Sequence, residues 1–153
     1  MHILDPDAVN AICGQIEDKF GNADLNQAKA HIPQVCWVVY LVFTTYGYAM
    51  NEGLARLFNL NIAHNKLSEA LQIVGLQELR RKFDAICEKL GKERLGDTDK
   101  IIELHKSWAA FEKSVRKVFH EFIDARDTVF EAVGKYCEEK KEKLSKYVNY
   151  PNS

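Results

Sequence analysis

The side chains best equipped for chemistry are five histidines and four cysteines. His2, His31, His64, His105 and His120 are scattered, and no HxxxH or HExxH places two of them on one helix face. No Glu stands three residues before a His, so the Glu-x-x-His pattern of di-iron bundles is absent. His120 and Asp124 can share a helix face one turn apart. Two ligands still fall short of the three or four a bound metal takes. Cys13, Cys36, Cys87 and Cys137 are far apart, with no CxxC, and the last three sit among apolar residues at helical spacing. That context predicts buried free thiols rather than disulfides or activated nucleophiles. GxxxxGK[ST], GxGxxG and GxSxG are all missing, so no phosphate-cradling loop or nucleophile elbow is expected. The expectation is a protein with no catalytic residue, no metal and no cofactor, and so not an enzyme.

Two basic clusters come next. Arg80-Arg81-Lys82 lies on one amphipathic stretch, and Lys113, Arg116 and Lys117 lie at i, i+3 and i+4 on another. Such stripes can grip phosphates. Each is flanked by acids, Glu78 and Asp84 in one case and Glu112 and Glu121 in the other, which favours solvated helix faces. The net charge of −1, from 21 basic and 22 acidic residues, makes no strong field for nucleic acid or anionic membrane. Nucleic acid is therefore a disfavoured partner, and no membrane association is expected. Trp37, Tyr40, Phe43, Tyr46, Tyr48 and Phe58 form an aromatic set that is either core or the lining of a ligand pocket.

The elements that must hold these side chains are helical. A length of 153 residues fits one domain, and 46% apolar with 28% charged residues is ordinary for a globular chain. One domain over residues 1–148 and a short tail over 149–153 are expected. An unbroken apolar run from Val35 to Phe43 is too short to span a bilayer. Its valines suit a strand as well, but no turn-bounded partner strand exists, so a buried central helix from about Pro33 to Tyr46 is preferred. Gly47 should loosen that helix, and Asn51-Glu52-Gly53 reads as a turn or a restart before Leu54, Leu57 and Phe58.

Around it, Asp5-Pro6-Asp7 marks a helix start and Gly21-Asn22 its stop. Asp24 is expected to cap a short helix through Ala30, and Asn65 a helix carrying Leu67, Leu71 and Val74, ended by Gly75. Leu76, Leu79, Phe83, Ile86, Cys87 and Leu90 make the clearest amphipathic stripe, closed by Gly91. From Asp97 or Thr98, Ile101, Leu104, Trp108, Phe111, Val115, Val118 and Phe122 keep helical period, with a break at Asp124–Asp127. Glu139–Lys143 and Glu142–Lys146 read as i,i+4 pairs on a solvated helical end. The fold class is all-α, a single-domain bundle of about six to eight helices around a buried central helix. With neither a signal-peptide pattern nor paired cysteines, a cytoplasmic location is expected.

An aromatic-rich helix leading into Asn51-Glu52-Gly53, then LARLF, an Asn-bearing loop and SEALQIVGL (Ser68–Leu76) resembles the DMP19-like family. The matching positions are Asn51, Gly53, Phe58, Asn61, Glu69, Ala70, Leu71 and Gly75. The resemblance spans roughly residues 34–90, and Phe122–Glu139 is loosely similar to the family's last helices. It implies an all-α fold and a protein-binding role. The family's founding member is an acidic DNA mimic. Here its acidic positions before the turn are Thr44, Thr45 and Tyr46, and one turn glycine is Glu52, so the mimic function is not carried across.

Two functions follow. The first is a non-enzymatic protein-interaction module, regulatory or toxin-neutralising (immunity-like), acting as monomer or homodimer on another protein. The alternative is a small-molecule-binding protein or enzyme with a pocket near the central helix. Trp37, Tyr46, Tyr48, Asn51 and Gly53 are the candidate binding residues for either.

Overall fold

The computed structural model describes residues 2–53, 57–58 and 60–151. The side chains of residues 98, 105, 108, 111, 112, 115, 118, 119, 122 and 123 lie outside that description, as do Leu54 and Asn59. The apolar stripe expected at Trp108, Phe111, Val115, Val118 and Phe122 therefore falls on side chains not described. The described elements are α1 (Pro6–Phe20), α2 (Asn22–Asn26), α3 (Gln34–Glu52), α4 (His64–Ile73), α5 (Gln77–Leu90), a 3-10 turn (Lys92–Arg94), α6 (Thr98–His105), α7 (Trp108–Asp124), α8 (Arg126–Glu139) and α9 (Lys141–Leu144). Among the described residues there is no strand, and the fold is an all-α bundle. No described helix is long and apolar enough to cross a membrane.

Helix α3 is the axis. Every residue from Val35 to Leu41 is buried whatever its angular position, and so are Val42, Thr45, Tyr46 and Ala49. A helix buried on all sides needs apolar cover on all sides. α1, α2, α4, α8 and α9 supply it. The valines go into a helix because its backbone bonds are closed within the segment, which lets the run be enclosed without a partner strand. Thr45 is satisfied the same way, its hydroxyl donating to the Leu41 carbonyl one turn back.

The helix runs beyond the expected end. It passes through Gly47 and stops at Glu52, with Gly53 as its C-cap at φ 95°. Burial of Ala49 outweighs the weak helix propensity of Gly47. Asn51 and Glu52 are thus the last helical residues, not a separate turn. Gly53 takes a left-handed backbone that a side chain would strain.

Several boundaries differ for identifiable reasons. Asp5 caps α1, its carboxylate accepting from Ala8 N at 2.9 Å, and Asp97 likewise caps α6 through Lys100 N. Asp24, however, lies inside α2, which ends at Asn26 before the left-handed Ala28. Asn65 is not a cap either. Ala63 donates to the Asn26 carbonyl at 2.8 Å, and α4 starts at His64, before the residue expected to cap it. The long C-terminal stripe is broken at Lys106, left-handed at φ 58°, and Ser107 then accepts from Ala110 N. Period alone did not reveal that break, because the stripe stays in phase across it.

The charged residues of the C-terminal end, Glu139, Glu142, Lys143 and Lys146, are solvated as expected, but the chain turns so that its apolar residues are not. α8 stops at Glu139, and Leu144 and Val148 are buried, with α9 packed on α3. Turning the chain back to bury two aliphatic side chains outweighs the small gain from the exposed pairs Glu139–Lys143 and Glu142–Lys146. Asn149 and Gln15 exchange two hydrogen bonds, at 2.7 and 3.1 Å, and the Tyr150 hydroxyl donates to Glu138 at 2.7 Å.

Two helical glycines separate packing from propensity. Gly134 on α8 lies under residues 3–4, with Leu4 N donating to its carbonyl. A Cβ there would drive into the Leu4 carbonyl oxygen and sit 2.8 Å from Ile3 Cγ2. Gly14 on α1 has nothing within 4 Å of the same position. Gly134→Ala should lower the urea midpoint, costing about 1–3 kcal/mol, while Gly14→Ala should raise it by roughly 0.5–1 kcal/mol. Equal shifts in the two variants would show that the N-terminal segment does not rest on α8.

Candidate functional site

The thiols are positioned as structural groups. Cys13, Cys36 and Cys137 are buried and Cys87 half-buried, all four free. Burial pushes Cys36 up to about 11 and Cys87 and Cys137 up to about 12, and it raises Cys13 as well. A thiolate is therefore scarce at neutral pH, and with it nucleophilic or metal-binding capacity. Among the described residues no three His, Cys, Asp or Glu side chains gather as a metal would need.

Of the five histidines, His64 is buried. It opens α4, its Nε2 lies 3.1 Å from the Leu57 carbonyl, and its ring stacks on Phe83 at 6.2 Å. Phe83 in turn stacks on Phe58 at 5.6 Å. Burial pulls the imidazole below the ordinary histidine value, opposed by the Leu57 and Ile62 carbonyls. It is a neutral core histidine, joining α4 and α5 to the helical residues Leu57 and Phe58.

The five candidate residues on or next to α3 spread around it. Trp37 is 6% exposed and receives Lys66 over its ring at 5.3 Å. Tyr46 is 2% exposed and meets Phe130 of α8 edge-on at 5.8 Å. At about 100° per residue these two lie on roughly opposite sides of the helix. Tyr48 is 40% exposed, on nearly the same side as Trp37 but about 16 Å further along the axis. Asn51 is exposed, and Gly53 serves as the cap. Trp37 and Tyr46 are thus core anchors, and only Tyr48 and Asn51 present side chains to solvent.

A cavity of about 340 Å³ lies elsewhere, where the start of α5 meets the junction of α7 and α8. Gly75, Leu76, Leu79, Lys82, Glu121 and Thr128 line it. Lys82 and Glu121 bridge the two sides at 3.0 Å, each about one-third exposed. Sequence reading saw both ends of this cavity only as punctuation, at Gly75 and at Asp124–Asp127. Nothing in either stretch announces that they meet.

The two basic clusters fare differently. On α5, Arg80 pairs with Asp84 at 3.4 Å and donates to Ser68 at 3.1 Å, Arg81 pairs with Glu78 at 2.9 Å, and Lys82 takes Glu121. Those cations are satisfied within the molecule. Lys113, Arg116 and Lys117 are exposed on α7, and no described acid pairs with them. Of the two acids the sequence offered as their counter-charge, Glu121 is turned to Lys82, and the side chain of Glu112 lies outside the described residues.

No family model matches the chain, and no characterised protein or solved structure matches it.

Two measurements follow from these environments. The folded protein should react with a maleimide at pH 7.5 far more slowly than in denaturant, where all four thiols should label; rapid labelling of a folded-state thiol would contradict the burial. For His64, a folded value below the unfolded 6.5 means that the unfolded chain takes up the proton first. Its contribution is complete above about pH 6.5 and drains as pH falls through that value, by at most about 1.4 kcal/mol per pH unit. Urea unfolding at pH 7.5 and 5.5 should show the loss, and His64→Gln should flatten it.

Proposed function

We propose that the chain is a non-enzymatic protein-interaction module of the DMP19-like type, regulatory or toxin-neutralising, acting in the cytoplasm on another protein and not by DNA mimicry. The observation that carries this reading is the exposure of α7. Of its described side chains, Ala109, Ala110, Lys113, Ser114, Arg116, Lys117, His120 and Asp124 are all exposed, and Glu121 alone is half-covered. The helix is held by α5, α6 and α8. A long preformed helix that shows one broad face to solvent suits docking, because its backbone need not be ordered on binding. The buried thiols and the neutral His64 support the non-enzymatic half of the reading.

The alternative is a small-molecule-binding protein, and the cavity between α5 and the α7–α8 junction favours it. Its volume sits at the lower end of the range for ligand sites. Affinity capture with chemical crosslinking, using the tagged chain in lysate of its source cells, should recover a protein at near-stoichiometric yield. Recovery of none, together with a metabolite that raises the melting temperature, would replace the interaction reading with the small-molecule one. Sedimentation velocity on the same preparation distinguishes monomer from homodimer.

A further inference from the structure

Resting on that interaction reading, we propose that the exposed face of α7 bearing Lys113, Arg116 and Lys117 is the docking surface, and that its occupant is an acidic helical segment of the partner protein. The spacing i, i+3, i+4 places the three cations within one turn on one side of the helix. All three are exposed, and none is paired with a described acid. The contrast with α5 gives this weight. There, three adjacent cations are each matched to a carboxylate at 2.9–3.4 Å. Among the described residues the fold thus pairs every cation of one basic cluster and none of the other.

Lys82 sharpens the effect by drawing Glu121 towards α5. Asp124 lies about two turns beyond Lys117, too far along the axis to cancel the stripe. Small side chains at Ala109, Ala110 and Ser114 border the cations and let a second helix approach closely. A helix carrying Asp or Glu at the same i, i+3, i+4 spacing matches this face in both shape and charge. Three cations on a chain of net charge −1 are few for nucleic acid, where about six to ten phosphate contacts are usual for tight binding.

The test uses the full chain and three fluorescent probes: an Ala-based helical peptide with Glu at repeated i, i+3, i+4 positions, its Gln counterpart, and a short DNA duplex. Anisotropy at low salt should show binding of the Glu peptide, with the Gln peptide and the DNA weaker. K113E/R116E/K117E should weaken the Glu peptide about tenfold or more, and K113Q/R116Q/K117Q by a smaller factor. K140E/K143E/K146E makes the same change in net charge elsewhere and should leave binding within about twofold. Equal losses in the two Glu-bearing triple variants, binding of the Gln peptide as tight as that of the Glu peptide, or tighter binding of the duplex would each overturn the proposal. The captured partner separates this failure from that of the broader reading. A partner retained by K113E/R116E/K117E removes the α7 face and leaves the module, whereas no partner even for the unaltered chain removes the module.

Discussion

The structure depends on enclosing one helix completely. α3 exposes no consistent polar side over Val35–Val42, so it cannot rest on a surface; it must be surrounded. Burying a Val, Leu or aromatic side chain contributes about 1.5–3 kcal/mol, and α3 contributes eleven buried residues. That requirement explains the order of elements. Chain from both ends is brought to the same rod, α1 and α2 before it and α8 and α9 from the far end. It also explains the fold-back of the C-terminus, where Leu144 and Val148 complete the cover.

Polar groups are treated consistently inside this enclosure. Thr45 bonds to its own helix, and His64 faces backbone carbonyls while its ring packs against Phe83. The thiols are held as small apolar groups with raised proton affinity. An unpaired polar group in such an interior costs about 1–3 kcal/mol, so each is either bonded or neutral. The groups a sequence search flags as reactive are in this way converted into packing material.

At the surface, the geometry of α5 and α7 decides which charges are cancelled. Their side chains meet at Lys82–Glu121, which draws an acid away from the outer face of α7. Single exposed ion pairs contribute little to stability, typically less than about 1 kcal/mol. Their arrangement matters more for recognition, since it fixes where uncompensated charge points.

The sequence by itself determined the all-α class, the central position of the Val35–Phe43 run, the cap at Asp5 and the burial of the free cysteines, and it narrowed the start of α6 to Asp97 or Thr98. These are legible because helical periodicity, cap chemistry and local apolarity are written in neighbouring residues. The end of α3 beyond Gly47, the early start of α4 and the burial of Leu144 and Val148 were decided by tertiary contacts, whereas the break at Lys106 is closed locally by Ser107 on Ala110 N. Each of the first three depends on burial or a hydrogen bond between residues remote in the chain, as with Ala63 and Asn26 or α9 and α3. The candidate site divides the same way. Residue types marked both basic clusters, but only the packing of α5 beside α7 turned Glu121 to Lys82, because an acid pairs with whatever cation the fold brings to it.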